Sequence, residues 1–539
     1  MSDAVKEERR RTRRGEQARR GTRDRRWVMA LYCSALAVAG LFSLLLPNMG
    51  VGAQGKMLRV ARGGEGRSLD PHIRARFDDR VVIAAIYEPL ITSDKDGHFV
   101  PVLAKSWEIG STGRVVTFQL RQGVTFQDGT PFDAQAVKWN LERVLDPATG
   151  SDHRQKFEGI IQGVQAVDPY TVRIYLTRPY PALFSDLTDR PGQMVSPAAV
   201  KKFGKDFALH PVGTGPFKFV ELIQGNRVVV QRYENYWNRS AIKSDGIVFY
   251  EIPERPVAVA RLQSGEVDVV ASTGAGDLVL GGPEVLAVQR QAGFRSIPSP
   301  NYEWEALQMR VDRPPFNNRS LRQAIAYAVD REQILKTIYH GLGIATGKFF
   351  LEGWWADPKY VGIKYDPSVA RAKLKESGYL DNPVPVTLSI QASDSQLGEL
   401  VQAQLAAIGL KVGLQLSSES DFYPQLIEGR YALAGPVRWT PRVDPHSLAN
   451  VLFHSSKGNS NTTRYRNVQV DSLLDDASAM EDPEQRGQVY HQIEQLVVGG
   501  APYVVYYASP GYALMREAVR GFEWGFDLVP RVAKAWLGP

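Results

Sequence analysis

Apolar positions recur with two periods along most of the chain. The stretch "PFDAQAVKWNLERVL" places Val137, Leu141, Val144 and Leu145 on one helical stripe, and Asp133 stands where an N-cap belongs. "SLRQAIAYAVDREQILKTIYHG" predicts one helix over 320–341, with Leu321, Ile325, Ala328, Val329 and Ile338 as its stripe and Gly341 as its stop. "RVVTFQL" (114–120) and "NRVVVQRY" (226–233) are rich in β-branched residues and predict strands. "VTLSI" (386–390), a helix near 395–408 and "LKVGLQL" (410–416) form a β-α-β unit. The mixture predicts an α/β protein of several domains, and 539 residues suit two to four of them.

The N-terminus departs from this pattern. Residues 1–26 hold eleven Lys/Arg against five Asp/Glu, which accounts for six of the seven net positive charges. Residues 27–53 are uncharged, and "WVMALYCSALAVAGLFSLLL" (27–46) is an apolar run followed by small residues at Val51 and Ala53. A basic region, an apolar region and small residues describe an export signal with cleavage near Ala53; a run of this length also suits an uncleaved anchor in the inner membrane. Either way the basic flank stays inside and the body lies outside the cytoplasm. The remaining chain is nearly neutral, so a nucleic-acid partner is not expected. The only cysteine, Cys33, lies in the apolar run, so the body has no disulfide or thiol chemistry. With no cysteine placed for a lipid anchor, a Gram-negative periplasm is the expected compartment.

Signatures of catalysis are missing. There is no G-x-S-x-G, H-E-x-x-H or Walker loop, and "RGGEGR" (62–67) spaces its glycines wrongly for a dinucleotide fingerprint. "GAGDLVLGG" (274–282) is a glycine-rich turn without a lysine, and the eight histidines are scattered. No cofactor and no metal site are expected.

Several blocks, in order, point to one family. "IYEPLITSDKDGHFVPVLAKSWE" (86–108), "LRQGVTFQDGTPFDAQAVKWNLERV" (120–144), "PVGTGPFKFVE" (211–221), "RLQSGEVDVV" (261–270) and "PPFNNRSLRQAIAYAVDREQI" (314–334) resemble the extracytoplasmic solute-binding proteins of peptide-type ABC importers, whose solutes include dipeptides, oligopeptides and nickel complexes. These blocks also have local physical roles. Asp128-Gly129 is turn chemistry, Gly123 suits a positive φ, and Gly213 and Gly215 allow close backbone approach.

The resemblance implies a two-lobed periplasmic-binding-protein fold with a third domain. Lobe I would take 56–93, 211–306 and 500–539, the extra domain 94–210, and lobe II 307–499. Strands crossing near 300–308 and 500–508 would form the hinge. A monomer closing on a solute and docking on a membrane permease is the implied function. The alternatives are an exported hydrolase acting on similar solutes and a ligand receptor or chaperone without transport.

The segment "VRWTPRVDP" (437–445) matches a cleft-lining segment of the family. Peptide-binding members place an aspartate for the ligand ammonium three residues after the tryptophan. Here Arg442 stands there, and Asp444 is the nearest acid. The early loop "SLDPHIRARFDD" (68–79) adds Arg74, Arg76 and Phe77. Guanidinium groups grip carboxylates in a bidentate way, so an acidic small solute is expected alongside a peptide-like one. The other reading of these arginines pairs them with Asp78, Asp79 and Asp444. Tyr302 and Trp304 alternate onto one face of the crossing strand and, with Trp439, are the candidate aromatic contacts.

Overall fold

Two long strands, Phe294–Met309 and Tyr503–Arg516, pair antiparallel and join the two halves of one sheet. At one end, Tyr503–Arg516 pairs with Val269–Ala271, and the sheet continues through Met57–Arg62, Gly246–Glu251, Arg227–Arg232 and Phe217–Ile223. At the other end, Phe294–Met309 pairs with Leu433–Trp439, followed by Val386–Gln391 and Val412–Ser417. Between Pro298 and Tyr302 the register of this pair breaks. These relations come from a computed structural model, which describes residues 56–64, 68–73, 77–271, 280–440 and 442–539, apart from the side chains of 419, 420 and 458–460. The export signal or anchor and Cys33 lie outside the described residues. Among them, no helix is long and apolar enough to cross a membrane.

A separate four-stranded sheet, in the order Ala104–Ile109, Val115–Leu120, Thr171–Leu176 and Ile161–Asp168, belongs to the inserted part of the chain. Helix Ala134–Leu145 packs on it through Val137, Leu141 and Val144. Asp133 caps that helix by accepting from the Ala136 N–H at 2.9 Å. The β-α-β unit forms as the pattern predicts, with strands Val386–Gln391 and Val412–Ser417 around helix Ser395–Ala407.

One predicted element is corrected. The single helix over 320–341 is two, Arg319–Ala328 and Arg331–Thr337. Val329 and Asp330 are extended, and the Asp330 carboxylate accepts from the Gln333 N–H at 3.0 Å. An aspartate that caps a new helix competes with continuation of the old one.

The inserted part is fastened to the first half of the sheet by Gln127. Its amide nitrogen donates to the carbonyls of Ile86 (2.8 Å), Gly215 (3.0 Å) and Phe217 (2.9 Å), and its oxygen accepts from the Gly213 N–H at 2.9 Å. The approach requires glycine, since a Cβ on Gly213 would lie 2.3 Å from the Ile86 oxygen and one on Gly215 2.6 Å from the Ile86 carbonyl carbon. Gly123 and Gly129 adopt the positive φ expected of them, +74° and +85°. Replacing Gln127 by Ala leaves several backbone groups without partners. Its expected cost is about 2–4 kcal/mol of stability, read from denaturant unfolding midpoints.

Candidate functional site

The alternation of the strand Phe294–Met309 gives its two faces different chemistry. Tyr302 and Trp304 point to one side, where a cavity of about 30 Å³ is lined by them with Asn301, Phe349, Glu352 and Arg442. That is room for about one water molecule. A larger cavity of about 620 Å³ shares Tyr302, Leu351 and Glu352 with it. Glu303 and Glu305 point to the other side, into a cavity of about 220 Å³ lined also by Asp394, Arg438 and Tyr339.

Arg442 is half-buried and faces Asp189, its Nε 3.8 Å from the carboxylate. That carboxylate also meets Arg80 (3.1 Å), Lys156 (3.4 Å) and Arg190 (3.6 Å). Other acids share these cations: Asp527 lies 2.6 Å from Arg80 and Asp186 3.5 Å from Lys156. Burial alone would raise the Asp189 carboxyl, but Arg80, Lys156, Arg190 and Arg442 together hold it well below the usual carboxylate range. Burial pulls the Arg442 guanidinium below its ordinary value, Asp189 opposes that shift, and nearby Arg80 adds to it. Arg80 opens helix Arg80–Ile86, lies over the Phe77 ring at 4.8 Å, and reaches Asp527 at 2.6 Å.

Of the residues expected in the cleft, the structure brings Tyr302, Trp304 and Arg442 to one cavity. Trp304 is also a core residue, its ring 5.1 Å from Phe349 and 6.0 Å from Tyr503. Trp439 pairs with it across the sheet, rings 6.4 Å apart. Phe77 is half-buried beneath Arg80. Arg74 and Arg76 lie outside the described residues.

Asp444 is corrected from a ligand group to a structural one. Arg486 binds both of its oxygens at 2.5 and 2.8 Å, and Oδ1 also accepts from the His446 N–H. The Asp444 N–H donates to Ser185 Oγ, and Ser447 Oγ donates to Asp186, so this segment docks on helix Leu183–Thr188 of the inserted part. Sequence reading passed over Arg80, Asp189 and Arg190. The only local signal was the charged pair in "LTDRPGQM", set between an apolar helix and a proline.

On the opposite face, Glu305 accepts from Arg438 Nε at 2.9 Å and from the hydroxyls of Tyr339 and Tyr506. Arg438 also holds Asp394 at 3.1 Å. Glu303 accepts from the Thr440 hydroxyl at 3.1 Å. Burial, reinforced by Glu305, pushes the Glu303 carboxyl up to about 8 against the opposing pull of Arg438.

A family model, "Bacterial extracellular solute-binding proteins, family 5 Middle", matches residues 98–460. The glutathione-binding protein GsiB of Salmonella paratyphi A is 30% identical over 481 residues, covering 87% of this chain and 92% of that one. GsiB of Escherichia coli K12 is 29% identical over 488 residues, covering 88% and 93%. Among solved structures, the periplasmic binding protein DppA from Helicobacter pylori in complex with peptide STSA aligns with a TM-score of 0.81 at 24% identity, covering 90% of this chain and 98% of that one.

The raised Glu303 value has a definite sign. Between 4.5 and about 8 the folded protein holds a proton that the unfolded chain releases, so stability falls as pH rises through that window. Glu303→Gln should therefore match the native protein at pH 5 and exceed it at pH 8 by about 2 kcal/mol, measured by denaturant unfolding at both pH values.

Proposed function

The chain belongs to the bacterial extracellular solute-binding proteins of family 5, and from that premise we propose that its solute is a small, peptide-like molecule bearing a free acid. The protein is an extracytoplasmic binding component of a peptide-type ABC importer. It captures its solute between two lobes and delivers it to a membrane permease. The single observation that carries the acid assignment is the position of Arg442 on the wall of the cavity that Tyr302 and Glu352 also line. A solute carboxylate entering beside Arg442 meets a guanidinium that can donate to both of its oxygens.

The relatives support the same class. GsiB is by name a glutathione-binding protein, and glutathione is a tripeptide with two carboxylates and one ammonium. Glu352, on the same wall as Arg442, suits an ammonium and takes the part the sequence suggested for Asp444. Tyr302 and Trp439 supply aromatic surface for the rest of the solute. Lobe I, the extra domain and lobe II follow the boundaries stated above, with the register break between Pro298 and Tyr302 as the hinge on the crossing strands.

The test is calorimetric titration with glutathione. Arg442→Ala should weaken binding about 10- to 100-fold, the value of a charge-assisted contact, and Arg442→Lys should recover only part of it. Unchanged affinity in Arg442→Ala would end the acid assignment.

A further inference from the structure

We propose that the solute carries, besides its acid, a large apolar substituent, and that this substituent fills the cavity of about 620 Å³ walled by Ile344, Val361 and Tyr365. This rests on the acid-bearing solute proposed above and names the rest of its chemistry: a peptide-like acid with a bulky alkyl or aryl side group.

The first observation is space. The cavity at Arg442 holds about 30 Å³, room for one small group and no more. The cavity of about 620 Å³ falls within the range of about 300–1,000 Å³ typical of small-molecule sites. The two adjoin, since Tyr302, Leu351 and Glu352 line both. Tyr302 and Glu352 are also close enough to feel each other: burial raises the Tyr302 hydroxyl above its ordinary value, and the charge of Glu352 adds to that shift. With the solute acid at Arg442 and its ammonium at Glu352, the larger space is the next one open to the molecule.

The second observation is the wall. Large apolar side chains that reach the surface usually do so singly. Here Ile344, Val361 and Tyr365 are 38%, 54% and 47% exposed, and all three line one cavity. The backbone brings them together. Ile344 pairs with Ala508 of a crossing strand, and the chain then loops round until Gly347 bridges Gly362. That approach requires glycine: a Cβ on Gly362 would lie 2.3 Å from the Gly347 oxygen, and φ there is +71°. Three charged residues around the cavity are already engaged by the backbone. Arg331 donates to the carbonyls of Ala326, Val329 and Val505, Lys348 donates to the Asp357 carbonyl at 3.0 Å, and Asp330 caps its helix. Glu332 and Lys364, both exposed, offset each other in charge. What the cavity offers a solute is apolar surface in contact with water, which a hydrocarbon group would cover.

The probes are glutathione and S-hexylglutathione, which share both carboxylates and the ammonium and differ by an alkyl chain. Each is titrated calorimetrically into the native protein, Val361→Asp, Tyr365→Ser and Arg442→Ala. The native protein should bind S-hexylglutathione at least about tenfold more tightly than glutathione. That preference should disappear in Val361→Asp and shrink in Tyr365→Ser. Both positions are more than a third exposed, so neither substitution opens a hole in the core. Equal or weaker binding of S-hexylglutathione by the native protein, with affinity for glutathione lost in Arg442→Ala, overturns this inference and leaves the acid-bearing solute standing. A preference that survives in both Val361→Asp and Tyr365→Ser also overturns it, because the alkyl chain then lies elsewhere. A preference that collapses in these variants while Arg442→Ala binds both probes like the native protein ends the acid assignment and keeps the apolar subsite. If the native protein binds neither probe, both readings fall.

Discussion

The carboxylate of Asp189 is the junction on which the cleft depends. It draws together distant parts of the chain, meeting Arg80 at 3.1 Å and Arg442 at 3.8 Å. Lys156 and Arg190 approach it from its own part. Taking one acid and several cations out of water is expensive, and a buried network of this kind returns that expense only when its charges are well matched. Asp527 and Asp186 join Asp189 in matching these cations.

The crossing strand separates this work from the hinge's own stability. Its even-numbered residues, Tyr302 and Trp304, line the small cavity with Arg442. Its odd-numbered residues, Glu303 and Glu305, are held behind the sheet with Arg438 and Asp394. Arg438 is the cation directly paired with Glu305 and Asp394, and burial keeps Glu303 close to neutral at ordinary pH. The strand thus carries a polar, titratable back and an aromatic front. Asp444, locked by Arg486, and Glu305, locked by Arg438 and two tyrosines, are carboxylates committed to architecture.

Much of the scaffold was legible in the sequence because its determinants are local. The apolar stripe and Asp133 define helix Ala134–Leu145 within one stretch of chain, and the glycines at 123 and 129 take the positive φ their turns require. The same locality misled over 320–341, where the periodicity continues across Asp330 but its side chain starts a new helix. Arg442 was legible as unusual by comparison with its family segment. Its partner was not, because Asp189 comes from a distant part of the chain and nothing in "LTDRPGQM" says what it will face. Asp444 looked like the available acid by proximity in sequence, yet Arg486 on helix Pro483–Gly500 claims it.

The most direct measurement is native mass spectrometry of the protein purified gently from the compartment where it works, followed by identification of whatever is released on denaturation. The account predicts a single small solute, or a narrow set, each bearing a free carboxylate. A mixture of short peptides with free amino termini and no selection for an acid would contradict it, and would return the cleft to generic peptide capture.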